Sequence, residues 1–229
     1  MNSKTPTLKS LAAAAALIAG IGAATDQAHA SLVLTLESAG TTVTIVDNGV
    51  GDMDAGVGMI AFMGVVGDFT TNMTGGYGIG YAPWPTLLNL AGFSMSGSGG
   101  GTLTLTLEED NYTPSGPTSR FVSTIGGTIG TGTVSNQSFL DASGTAGVLG
   151  SLLADHGTDA TMSYSDDIIS SDIPLAGPYG LAVQVTIVHT IAGATQYTSQ
   201  IRIAEPATLG LFGLALAGFG LLARRRLLH

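Results

Sequence analysis

The stretch Thr102-Leu103-Thr104-Leu105-Thr106-Leu107-Glu108 (TLTLTLE) decides the fold, because leucine and a polar residue alternate along it without a break. Successive side chains of an extended chain point to opposite sides, so three leucines face one way and three threonines the other in a half-buried strand. A helix would scatter those leucines around its circumference. The same period of two continues on both sides. Upstream, LVLTLES puts Leu32, Leu34 and Leu36 on one face, and TVTI does so with Val43 and Ile45. Downstream, LAVQVTIVHT places Leu181, Val183, Val185 and Ile187 inward, and TQYTSQIRI returns with Tyr197, Ile201 and Ile203 on a common face. Only a short Ala192-Gly193-Ala194 link separates these two runs, which predicts a hairpin. Further strands are expected at 57–64, 87–98, 121–125, 133–140 and 161–164. Val148, Leu149, Leu152 and Leu153 recur at helical spacing and predict one short helix over 146–154. Turn signals between short alternating runs make the expected fold all-β, an antiparallel β-sandwich. No internal repeat points to a solenoid.

Composition narrows the function. Between Ser31 and Ala204 the only basic residues are Arg120 and Arg202, against fourteen acids, a formal charge of −12 for those 174 residues. Such a domain repels nucleic acid and anionic lipid and attracts divalent cations. Glycine makes up 28 of the same 174 residues, a density that disfavours helix and marks frequent turns. The chain has no cysteine. Disulfides, thiol nucleophiles, iron–sulfur clusters and zinc thiolates are thereby excluded.

The two ends differ from the body. Lys4 and Lys9 precede the apolar run 11–24, and Ala28-His29-Ala30 then fits the small-x-small cleavage rule. Residues 1–30 read as a signal peptide, with Ser31 the first residue of the mature chain, so the body is expected to be exported. At the other end, residues 207–223 carry no charge and are followed by Arg224, Arg225 and Arg226. Seventeen apolar residues rise about 26 Å as a helix, close to the hydrocarbon thickness, and the arginines stop the helix and hold the C-terminus inside. A single C-terminal transmembrane helix in the bacterial inner membrane is expected.

A signal peptide, a low-complexity exported body (31–203), the Glu205-Pro206 step, an apolar helix and a terminal arginine cluster together resemble the PEP-CTERM sorting signal. The same tail is also known as the ice-binding protein C-terminal domain. The resemblance covers 204–229. It implies recognition by an exosortase, a membrane processing enzyme, at Ala204-Glu205-Pro206, and an association with extracellular polysaccharide and biofilm matrix. The family signature reads Pro-Glu-Pro, and Ala204 stands at its first proline.

Three groups of residues in the body are candidates for binding. The loop VDNGVGDMDAGVG gathers Asp47, Asn48, Asp52 and Asp54 among glycines, oxygen ligands of the kind that Ca²⁺ takes, without the spacing of an EF-hand. The competing reading is an ordinary Asp-Asn-Gly turn. YAPWP holds the sole tryptophan, Trp84, beside Tyr81, and such a ring can stack on a sugar face. Thr102, Thr104 and Thr106 form a hydroxyl row of the kind an ice-binding face would use, although three threonines are also ordinary strand composition. Glu108, Glu109 and Asp110 read as a solvated strand end that discourages sheet association.

Catalytic signatures are missing: no nucleophile elbow, no HExxH, no P-loop and no dinucleotide fingerprint occurs. His156 and His189 are the imidazoles of the body, and His189 is placed by sequence with Gln184 and Thr186, packed or solvated. The expected function is therefore that of an exported, non-enzymatic surface or matrix protein, anchored in the membrane at least transiently. A carbohydrate-binding or ice-binding sandwich is the alternative, and a hydrolase of matrix polysaccharide, using a carboxylate pair, is third.

Overall fold

The computed structural model describes residues 32–78, 86–97, 99–114, 116–144 and 149–204. The cleavage residues Ala28, Ala30 and Ser31, the junction residues Glu205 and Pro206, the apolar run 207–223 and Arg224 to Arg226 lie outside the described residues. So do Tyr81 and Trp84.

The strands, in chain order, are β1 (Val33–Ser38), β2 (Thr41–Val46), β3 (Met59–Val66), β4 (Phe69–Tyr77), β5 (Thr86–Ser96), β6 (Gly101–Tyr112) and β7 (Thr118–Ser119). They continue as β8 (Phe121–Ile129), β9 (Thr133–Asp141), β10 (Ser151–Asp159), β11 (Ser163–Ile169), β12 (Ile173–Pro174), β13 (Tyr179–His189) and β14 (Gly193–Ile203). One six-stranded sheet runs β10-β9-β13-β6-β1-β2 and the other β11-β8-β14-β5-β4-β3, with β12 and β7 forming a small ribbon. All pairings are antiparallel. Among the described residues there is no helix, and none long and apolar enough to cross a membrane.

The alternating stretch lies at the middle of the first sheet. Leu105 stands opposite Leu36 on β1 and Val185 on β13, and Leu107 stands opposite Leu34 and Val183. All six side chains are fully buried. They meet Leu88, Leu90, Ile125, Tyr197 and Ile201 of the second sheet in one core cluster. Burying a leucine in this way contributes about 1.5–3 kcal/mol, and each ladder repeats the gain on one face.

Three expectations are corrected. The runs 181–190 and 195–203 are not a hairpin: β13 pairs with β6 and β9, whereas β14 pairs with β5 and β8. Both strands bury one face so completely that they pack against each other across the core, and each takes its ladder partners elsewhere. Second, Leu152 and Leu153 lie in β10 and not in a helix. A register shift between Leu152 and Ala154 breaks the period of two there, and Leu149 and Leu152 are exposed rather than on a buried helical face. Residues 145–148 are outside the described ones. Third, Glu109 is buried on an interior strand, where the Tyr112 hydroxyl donates to it and also lies 2.9 Å from the Leu87 carbonyl. Burial first, and the neighbouring Glu109 charge second, push the Tyr112 phenol well above its usual range.

Candidate functional site

The acidic loop folds its carboxylates onto its own backbone. Asp52 accepts the Asn48 amide at 2.9 Å on one oxygen and the Asp54 and Ala61 amides at 3.0 Å on the other. Asp54 accepts the Gly56 amide at 2.7 Å, and Asp47 accepts the Gly58 amide at 2.8 Å and the Asn48 side-chain amide at 2.9 Å. Asn48 takes a left-handed φ of 57°, as an Asp-Asn-Gly turn requires. These oxygens point at N–H groups rather than at one another. Among the described residues no group of three His, Asp or Glu side chains converges on a metal-sized point. The loop also lies along the free edge of β3, since the Met53 amide donates to the Ala61 carbonyl at 2.9 Å while Asp52 takes the Ala61 amide.

A different arrangement emerges on the outer face of the second sheet. Residues facing the core alternate with outward ones, and register aligns the outward set across the strands. Ala61 of β3, Gly75 of β4, Ala91 of β5, Thr198 of β14 and Gly126 of β8 follow one another as direct partners. The next row reads Asn72, Phe93, Gln196 and Thr128. On the other side stand Tyr77, Asn89, Gln200 and Thr124. A floor of small residues with Asn72, Phe93 and Gln196 along one side is a trough running across the strands, while in the row on the other side Asn89 is itself buried. It contains a depression of about 380 Å³ lined by Ala61, Asn72, Gly75, Ala91, Phe93 and Gln196, among others. The floor cannot rise at β4, because a Cβ on Gly75 would lie 2.7 Å from the Ile60 carbonyl oxygen. No ionisable side chain but Tyr197, whose phenol burial raises far above its usual range, lines the depression.

The two described arginines are matched elsewhere. Arg120 donates to Asp172 at 2.9 Å and Arg202 lies 3.6 Å from Asp167, both pairs exposed. Exposed pairs of this kind add little to stability.

A second constellation joins the sheets at the β10 and β11 edges. The Ser123 Oγ lies 2.9 Å from His156 Nε2, whose Nδ1 lies 2.8 Å from Asp166 Oδ2. This is the order of groups that activates a hydroxyl nucleophile. Here, however, Ser123 is 1% exposed and its hydroxyl is also 2.7 Å from that of Ser138. The adjoining cavity, lined by His156, Asp166, Asn136 and Tyr164, holds about 20 Å³, room for one water and not for an acyl substrate. The relay connects β8 and β11 of one sheet to β9 and β10 of the other. Asn136, 2.5 Å from the Ser199 hydroxyl, adds a second polar stitch between the sheets.

His189 faces the core with Val185 and Ile187, opposite to its sequence placement beside Gln184 and Thr186. Counting by twos from Ile187 puts it there. Its ring nitrogens lie 2.8 Å from the hydroxyls of Ser96 and Thr195, and its ring packs on Phe69 at 5.2 Å. Burial holds its pKa below the ordinary histidine value.

Of the other sequence candidates, Ala204 continues the body directly, donating its amide to the Arg120 carbonyl at 2.9 Å. Thr106 is buried beside Gln184, so the threonine row is not a flat exposed ladder. Trp84 and Tyr81 belong to the connection between β4 and β5, outside the described residues. Asn72 is hidden in the sequence because β4 carries glycines and little apolar alternation, and Phe93 and Gln196, though on expected strands, come together with it only through the register between strands. Gln196, Thr198 and Gln200, alternating in TQYTSQIRI, were the trough's one visible trace.

No family model matches the chain and no curated protein matches it. Among solved structures it is similar to the enzymatically active domain of bacteriophage CBA120 tailspike protein 4, at 13% identity over 75% of this chain and a TM-score of 0.36. The match spans 19% of that tailspike chain. TmCBM61 in complex with β-1,4-galactotriose is similar at 8% identity over 51% of this chain and 71% of its own, TM-score 0.31. CBM35 from Paenibacillus barcinonensis is similar at 10% identity over 65% of this chain and 94% of its own, TM-score 0.29.

Proposed function

We propose that this is a non-enzymatic, exported glycan-binding domain, which holds an uncharged polysaccharide chain in the trough and is sorted through its PEP-CTERM-like tail. The observation that carries the reading is the register-aligned trough. Sugars offer apolar ring faces edged with hydroxyls, and the trough offers Phe93 for stacking with Asn72, Gln196 and Gln200 as paired donors and acceptors. Without a cation in its lining, and on a domain of this acidity, the trough favours neutral over anionic polymers. Six strands spaced about 4.8 Å apart give a face roughly 24 Å wide, long enough for several sugar rings in a row. The tail, on the residues quoted above, supports delivery to the cell surface or matrix through an exosortase-type enzyme, where such polymers occur.

Affinity electrophoresis of the purified chain through gels containing neutral β-glucan, galactan or mannan tests the proposal. Retardation is expected on at least one polymer, reduced about tenfold in affinity by Phe93→Ala, a loss of roughly one stacking contact. Ala91→Leu, which fills the floor, should abolish it. Mobility unchanged on every neutral polymer would refute glycan binding, and retardation that survives both substitutions would place binding elsewhere. Turnover of the polymer during the run would refute the non-enzymatic part.

A further inference from the structure

A sandwich of two open sheets has four edges, here β2 and β10 on the first and β3 and β11 on the second. Open edges invite pairing with another chain, and natural domains block them with charge, bulges or covering loops. Three of these four are blocked. The β3 edge is covered at Ala61 by Asp52 and Met53, and its ladder is kinked between Phe62 and Gly64. β10 carries two register shifts together with Asp155 and Asp159. β11 carries Asp166 and Asp167.

Among the described residues, none of these devices meets β2. Its sequence, TTVTIV, contains no charge, glycine or proline, and it pairs with β1 in unbroken register over all six residues. Thr41, Thr42 and Thr44 are exposed, and Val46 is 45% exposed. A short, uncharged segment of high β-propensity is the kind that pairs with its own copy. The electrostatics select the same occupant. On so acidic a chain two copies repel wherever carboxylates oppose each other, and β2 is an edge that bears none. The nearest acids are Asp47, just past the end of the strand and so at opposite ends of an antiparallel pair, and Glu37, opposite Thr42 on β1. In a pair joined through β2 the two Glu37 strands would stand three spacings apart, roughly 14 Å, beyond the screening length of about 8 Å at physiological salt.

We propose that the protein forms a homodimer through antiparallel pairing of β2 with β2 of a second copy about a two-fold axis, which joins the two six-stranded sheets into one. The blocked edges end the assembly at two chains. Each sandwich then presents its trough on the sheet that is not shared, so the dimer holds two troughs.

Sedimentation of the full chain in mild detergent over a concentration series tests this, alongside Thr44→Lys and, as a control on a blocked edge, Ser163→Lys. A monomer–dimer equilibrium is expected for the native chain and the control, and Thr44→Lys should weaken it by about tenfold or more while leaving the melting curve unchanged. Because the chain has no cysteine, single variants Thr44→Cys and Ser163→Cys with a short bis-maleimide give an independent reading. Cross-linked dimer at Thr44 and not at Ser163 is expected. A chain that is monomeric throughout, a dimer untouched by Thr44→Lys, or equal cross-linking at both sites would each overturn the proposal.

Discussion

His189 sits inside the sandwich with both ring nitrogens engaged by hydroxyls and the ring against Phe69. Since burial lowers its pKa, the unfolded chain takes up this proton first as the pH falls. The stability it supports is therefore complete above about pH 6.5 and declines as the pH drops below that value. His189→Gln should flatten this part of the curve, so melting temperatures of native chain and variant measured from pH 7.5 to 5 should diverge at the upper end and converge at the lower. Asp155, lowered chiefly by the Gly157 amide, and Asp159, lowered chiefly by Thr161, act in a separate window. Their contribution is present above about pH 3.9 and is lost as the pH falls through it, which leaves the histidine test clean. Asp52 makes the second residue-scale prediction. With three backbone amides resting on one carboxylate, Asp52→Ala should cost about 1–3 kcal/mol in chemical unfolding, and Asp52→Asn, which keeps an acceptor, distinctly less. Calcium should leave the melting temperature unchanged, because these oxygens are turned onto backbone amides and, among the described residues, do not converge on one point.

At the scale of elements, the alternating runs were legible because one buried face imposes a period of two. Leu32, Leu34 and Leu36, Leu103, Leu105 and Leu107, and Val183, Val185 and Ile187 are all core, as their spacing required. What the spacing could not reveal is partner choice: β13 and β14 follow each other closely and still lie in different sheets. β4 was invisible for a related reason. Its interior glycines serve close packing and a flat floor rather than hydrophobicity, so no apolar period marks it. The trough inherits that invisibility, being a property of register between strands and not of any one of them. The polar stitch between the sheets was equally hidden, since Ser123, Ser138 and His156 lie on three strands and carry no motif. Ser123→Ala should destabilise the domain by about 1–3 kcal/mol, as it leaves His156 and Ser138 buried without their shared partner. Equilibrium urea denaturation checks it, and an effect below about half a kcal/mol would mean that the two neighbours re-pair.

At the scale of the whole molecule, the fold runs without a spacer into the junction. β14 ends at Ile203, Ala204 is still tied to Arg120, and the next two residues are the Glu205-Pro206 step. A cut upstream of Ala204 would remove residues from a strand paired on both sides, so exosortase-type processing compatible with a folded body must fall beyond Ala204. Mass spectrometry of the released body in a host possessing such an enzyme should give a C-terminus at Ala204 or just after it. A C-terminus inside β14, or a chain that stays full-length there, would contradict this.

β14 also has a mechanical consequence. The strand that leads into the tail is the one that carries Gln196, Thr198 and Gln200 into the trough, and it is laddered to β5 over 193–202 and to β8 over 195–203. If the proposed anchor and the proposed polymer both pull, tension would enter along β14 and leave through the trough residues of its neighbours β5 and β8. It would load both ladders in shear, with many hydrogen bonds resisting together, rather than peel them open one at a time. On the proposed function, a domain wired in this way would suit a tether that must hold under flow.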